Sequence, residues 1–151
     1  MKIRLHNQAF TLIEIMIVVG IIGVIMTMGV PSVVRSLRKE GMRKAVSDLT
    51  EACSAARAAA IISATTSDLV IRPQDRTITG GSFSASFPEN VWIKILGVNF
   101  LELQDADEAR VHFYSNGTSD EFTIVLQSTE LEARKISLEV ITGLADVEVI
   151  R

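Results

Sequence analysis

The residue best placed to do chemistry in this sequence is a carboxylate inside an apolar run. From Phe10 to Val30 the twenty-one residues "FTLIEIMIVVGIIGVIMTMGV" are nearly all apolar, and the run holds one charge, Glu14. An acidic group costs on the order of 2.5–3.5 kcal/mol at a bilayer centre and less near one end, so such a residue usually has a partner. No basic side chain within the run can serve. The partner must come from another molecule or from a charge made nearby. Cutting between Ala9 and Phe10 would make one: an α-amino group at Phe10, four residues from Glu14.

Other chemistry is thinly supplied. The histidines are His6 and His112, and the single cysteine is Cys53. His6 lies in the segment such a cut would remove. His112 alternates with Val111 and Phe113, which puts it on the polar face of a strand. Cys53 falls on an apolar helix face and reads as a buried structural thiol. Neither a catalytic triad nor a zinc site can be assembled from these. The acidic segment "DADEAR", with Asp105, Asp107 and Glu108, lacks the spacing of a calcium loop and reads as solvated. "NGT" at Asn116 matches a glycosylation acceptor, but it also reads as a turn, and the turn is the stronger reading. The expectation is a protein that is not an enzyme and has no metal and no cofactor.

These residues need elements to hold them. A helix over Phe10–Val30 rises about 32 Å, enough to cross a hydrocarbon core of about 30 Å. The run is longer than a secretory signal's apolar core, and "TMGVP" after it is a poor cleavage site. Lys2 and Arg4 precede it and five basic residues follow it, so charge alone leaves the orientation open. Pro31 lacks an N–H and should kink or loosen the helix. Beyond it Val34, Leu37, Gly41, Ala45, Leu49, Cys53, Ala56 and Ala60 recur every three or four residues, one face of a continuing amphipathic helix. The expected helix runs from about Phe10 to Ile62, with small residues that permit close packing on a sheet.

After Ser63 the pattern is strand-like. "LVIRPQDRTIT" reads as two strands around Pro73 to Asp75, and "SFSASF" and "VWIKIL" as further strands. "ARVHFYSNGTSDEFTIVLQS" has the form of a hairpin turning at Asn116-Gly117. "KISLEVIT" and "ADVEVIR" form a closing hairpin around Thr142-Gly143. The fold class is α+β: one long N-terminal helix, its first half transmembrane, packed on an antiparallel sheet or a pair of sheets.

Charge is segregated along the chain. Residues 32 to 44 carry five basic side chains against Glu40, a balance of +4, while residues 45 to 151 carry 8 basic and 16 acidic ones, a balance of −8. The basic cluster suits lipid headgroups, an acidic neighbour or simply water. The acidic remainder is a poor non-specific binder of nucleic acid.

"A-FTLIE" followed by an apolar run resembles the signal of type IV pilins and type II secretion pseudopilins. The resemblance implies that a prepilin peptidase cuts on the cytoplasmic side between Ala9 and Phe10 and methylates the new amine of Phe10. The family's glutamate falls fifth after the cut, as Glu14 does, and its common proline falls twenty-second, as Pro31 does. The departure is Ala9, where the family usually has glycine, and it bears on the rate of processing. In the family the glutamate pairs with the terminal amine of a neighbouring subunit, so the resemblance makes Glu14 an assembly residue.

A second resemblance is narrower. "VHFYSNGTSDEFTIVL" is similar to a strand–turn–strand signature of the GspH/FimT group, with Phe113, Gly117 and Thr118 or Ser119 in its places. "LTEACSAARAAAI" resembles that group's alanine-rich segment around an arginine, here Arg57. A generic type I′ turn is the plain alternative for Asn116-Gly117. The resemblances imply a leader over 1–9, a transmembrane and assembly helix over 10–30, an amphipathic half over 31–62 and a β-rich periplasmic domain over 63–151. They imply a single-pass inner-membrane protein, a minor pseudopilin supporting type II secretion, with prepilin peptidase and other pseudopilins or pilins as partners. The runner-up is a minor pilin that binds DNA for natural transformation, a role that wants a basic patch on the β-rich domain.

Overall fold

The computed structural model describes residues 11–129 and 132–150, with side chains outside 28–39. Ala9 and Phe10 lie outside the described residues, as does the side chain of Pro31. The chain divides into two units, Met1–Leu37 and Arg38–Arg151.

Among the described residues a single helix, α1 (Leu12–Ser63), contributes to both units and is continuous through Pro31. Its buried residues in the second unit are Met42, Ala45, Leu49, Ala52, Cys53, Ala56 and Ala60. Five of these belong to the face expected from sequence, and Met42 and Ala52 widen it.

Among the described residues nine strands follow in two antiparallel sheets. The first holds β1 (Ser67–Arg72), β2 (Thr77–Gly80), β3 (Phe83–Ser86) and β6 (Ala109–Phe113), in the order β3-β2-β1-β6. The second holds β4 (Val91–Val98), β5 (Leu101–Glu102), β7 (Phe122–Ser128), β8 (Ala133–Glu139) and β9 (Leu144–Ile150), in the order β5-β4-β7-β8-β9. The expected turn at Pro73 joins β1 to β2, and β8 and β9 form the expected hairpin. Both sheets share one core with α1, in which Leu69, Ile71, Ile78, Val111, Phe113, Phe122, Ile124, Leu126 and Ile136 are wholly buried.

The expected hairpin of "ARVHF" with "FTIVLQS" is not formed. β6 pairs with β1, whereas β7 lies between β4 and β8 in the other sheet. A single bridge, Phe113 to Ser119, is what remains between the two arms. The turn is local: Gly117 N–H donates to Tyr114 O at 2.9 Å and Tyr114 N–H to Thr118 O at 2.9 Å. Only Gly117 of the Asn-Gly pair takes a positive φ, +87°, so the turn is not type I′, which needs two. With the arms split, Phe113 and Phe122 enter the shared core from different sheets.

Close approach of α1 to the first sheet depends on glycine. A Cβ on Gly80 would collide with the backbone carbonyl oxygen of Ala52, and one on Gly81 would lie 2.7 Å from that of Ala55. Gly81 also has φ +56°, where glycine carries no steric penalty. The alanine-rich helix and the Gly-Gly turn are thus two halves of one contact.

Candidate functional site

The first site is the start of α1. Glu14 N–H donates to Thr11 O at 3.1 Å and more weakly to Thr11 Oγ1 at 3.4 Å, so Thr11 satisfies a backbone donor that a helix start leaves open. The Glu14 side chain makes no ion pair among the described residues. Around it every large apolar side chain from Leu12 to Met26 is exposed, from 47% at Val18 and Ile22 to 80% at Leu12. A helix segment that is apolar on every face calls for an apolar surround. Among the described residues no helix is long and apolar enough to cross a membrane. The described side chains of the run stop at Thr27, so the span expected over 10–30 lies partly outside them.

The second site is the turn after β6, where the residues of the second resemblance meet. Phe113 is wholly buried. Gly117 is buried, and a Cβ there would lie 3.3 Å from Arg57 Nη2. Arg57 reaches across from α1. Its Nε donates to Thr142 O at 2.8 Å, and at the limit of hydrogen bonding to Gly117 O at 3.4 Å. The guanidinium thus ties the helix to the Gly117 turn and to the β8–β9 turn together. Gly143, at φ +62°, completes the fit, because a Cβ there would lie 2.6 Å from Gly117 O and 3.2 Å from Arg57 Cδ. Thr118 donates from N (3.2 Å) and Oγ1 (2.8 Å) to Asn116 Oδ1, an Asx turn that engages the asparagine side chain. Ser119, rather than Thr118, is the buried hydroxyl, and its Oγ has no hydrogen-bond partner among the described residues.

Asp120 braces the same turn against β6. Its Oδ2 accepts from His112 N at 3.0 Å and lies 2.6 Å from His112 Nδ1, while its Oδ1 accepts from Tyr114 OH at 3.2 Å. Burial by itself would raise the Asp120 carboxyl. The bonds from the His112 backbone and ring, Asn99 and Tyr114 outweigh it and hold the carboxyl below the usual carboxylate range. The same Asp120 bond pushes the Tyr114 phenol up. Sequence reasoning missed Asp120 and the Arg57–Thr142 contact. The available signal was Asp120's place three residues after the turn glycine.

His112 sits on the polar face of β6, as expected from alternation, with Asp68 3.9 Å from its Nε2. Further along that face Glu108 bonds Arg110 at 2.5 Å and Arg72 at 2.7 Å, and Arg110, with Arg72 beside it, holds Glu108 below its usual range. Glu108 is thereby committed to guanidinium groups. Cys53 is buried, and burial pushes its thiol up to about 12, which makes it inert as a nucleophile.

Residues 4–30 match the model of the prokaryotic N-terminal methylation motif. This prepilin-type signal covers Ala9, Phe10 and Glu14 and is consistent with a type IV pilin-like protein. It implies processing by prepilin peptidase, assembly with pilin-like proteins and anchoring in a bacterial membrane. No curated protein and no solved structure matches the chain.

Proposed function

We propose that this chain is a minor pseudopilin of the GspH/FimT kind, a structural subunit of a type II secretion pseudopilus that supports protein export. It is not an enzyme in this reading. The carrying observation is the methylation motif over residues 4–30, with Glu14 inside it as the single charge of the apolar run. Prepilin peptidase cuts before Phe10 and methylates the new amine. The run of α1 stays in the inner membrane, and the β-rich unit lies in the periplasm. Glu14 then pairs with the terminal amine of a neighbouring pilin-like subunit. Among the described residues its carboxylate has no cationic partner, and in this reading the pair forms on assembly, with the desolvation cost selecting a correctly seated neighbour. Pro31 marks where the membrane half gives way to the amphipathic half.

The DNA-binding reading ranks lower on charge. Arg72 and Arg110 are paired with Glu108, Arg134 with Glu132, and Lys135 with Glu148. Cations already matched to carboxylates release few counterions from a phosphate backbone. A titration of the full chain in detergent with duplex DNA at several salt concentrations separates the readings. Tight, steeply salt-dependent binding would favour the DNA role.

The assembly reading is tested by co-expression with a prepilin peptidase and the other pseudopilins. Intact mass should show loss of nine residues and a start at Phe10. Glu14→Gln keeps size and hydrogen-bonding capacity and removes the charge. It should be cleaved and membrane-bound but poorly crosslinked to its neighbours. An intact leader, or full crosslinking of Glu14→Gln, would sink the proposal.

A further inference from the structure

The β4–β5 hairpin presents an aromatic side chain in a way that its own fold does not explain. Val98 pairs with Leu101, which leaves Asn99 and Phe100 as a two-residue turn. Both have positive φ, +49° and +66°. Left-handed backbone at a bulky aromatic residue is a genuine outlier, since glycine fits that position without penalty. Phe100 is also 92% exposed, and Leu101 beside it is 64% exposed. The turn is braced: Asn99 N–H donates to Glu121 O at 3.0 Å, and Glu121 N–H donates to Asn99 Oδ1 at 3.2 Å. The chain thus holds an aromatic residue in solvent on a strained backbone, and strain of this kind clusters at sites kept for function.

A matching cleft lies on the same unit. It has a volume of about 300 Å³ and is lined by Met42, Arg43, Val46, Ser47 and Arg134. That is the lower end of ligand-site volumes, about 300–1,000 Å³, and suits one aromatic side chain. Met42 and Val46 supply an apolar floor, and Met adapts to an incoming ring. Charge is complementary. Glu102 and Glu121 flank the Phe100 turn and make no ion pair among the described residues. At the cleft Arg134 is bonded to Glu132 at 2.6 and 3.0 Å, and Arg43 is exposed with no ion pair among the described residues. Cleft and knob lie at opposite ends of the second sheet. Arg134 pairs with Leu126, which pairs with Ile93 near the start of β4, whereas Phe100 follows the end of β4. Five strand steps separate Ile93 from Val98, about 17 Å, before the turn that carries Phe100 outward, so the knob cannot fill the cleft of its own chain.

We propose that Phe100 of one chain docks in the Met42–Val46 cleft of a second copy, with Glu102 and Glu121 facing Arg43. Knob and cleft are different surfaces, so one contact leaves a second knob and a second cleft to be filled by reciprocation within the pair or by a further subunit. It involves the β-rich unit alone and does not rest on processing of the N-terminal segment.

Cysteine crosslinking of the full chain in detergent tests it. A Leu101→Cys chain is mixed with a Ser47→Cys chain under a mild oxidant, with the unaltered chain as control for Cys53. The expected product is the mixed dimer, in excess over either homodimer. Adding Phe100→Gly to the Leu101→Cys chain should cut its yield about tenfold or more. The same Phe100→Gly change should raise the melting temperature, because it relieves the turn. Arg43→Glu in the Ser47→Cys chain should weaken the product, and Glu102→Arg in the other chain should restore it. Absence of the mixed dimer overturns the proposal, whether Phe100 then meets a bilayer or a different protein. So does a yield indifferent to Phe100→Gly, an excess of Leu101→Cys homodimer, or a lower melting temperature for Phe100→Gly.

Discussion

Replacing Arg57 by alanine should release three elements at once. The side chain is half-buried and donates to Thr142 O at 2.8 Å and to Gly117 O at 3.4 Å. A hydrogen bond from a charged donor contributes about 1.5–3 kcal/mol, and the long second bond adds little. The expected loss for Arg57→Ala is therefore about 2–3 kcal/mol. For a unit of this size each kcal/mol moves the melting temperature by about 4 °C, which predicts a drop of about 8–12 °C. Trp92, the single tryptophan, lies in β4, so its fluorescence reports melting of the β-rich unit without a signal from the apolar run. Arg57→Lys keeps the charge and one donor but loses the planar fork, and it should recover about half of the loss. Gly143→Ala attacks the same junction from the other side, because its Cβ would lie 2.6 Å from Gly117 O. The two changes share a partner, so their effects should not add. If Arg57→Ala melts within about 0.5 kcal/mol of the unaltered chain, the guanidinium is not the tie described, and water replaces it at both carbonyls.

Two further tests follow from the packing and the charges. Gly80→Ala puts a methyl on the Ala52 carbonyl and should destabilise the β-rich unit by about 1–3 kcal/mol, measured by denaturant unfolding; a neutral result would mean that helix and sheet separate freely there. The Asp120 carboxyl is depressed in the folded chain, so its contribution is present above the unfolded value of about 4 and is lost as pH falls through the folded value. Melting curves from pH 6 to pH 3 should therefore drop more steeply for the unaltered chain than for Asp120→Asn, and parallel curves would remove Asp120 as the brace.

What the sequence determined by itself is local. Apolar residues every third or fourth position dictated the helix face through Ala45, Leu49, Cys53, Ala56 and Ala60, because 3.6-residue periodicity needs no knowledge of the partner. Pro73 and Gly143 marked their turns because proline and glycine act on backbone torsions directly. Glu14 was conspicuous because a charge in an apolar run is costly wherever the chain goes. Tertiary structure decided what lies far apart along the chain. Asn116-Gly117 gave a turn, yet β6 went to β1 and β7 to β4 and β8, since strand pairing is settled by which side chains can share a core and which edges remain open. Arg57 found its acceptors 60 and 85 residues away, and no local pattern specifies such a reach. The strain at Phe100 likewise belongs to the assembled hairpin. "VNFLE" has no glycine to announce a left-handed turn, and the turn exists because β4 and β5 pair across it and Glu121 binds Asn99 from another strand's approach.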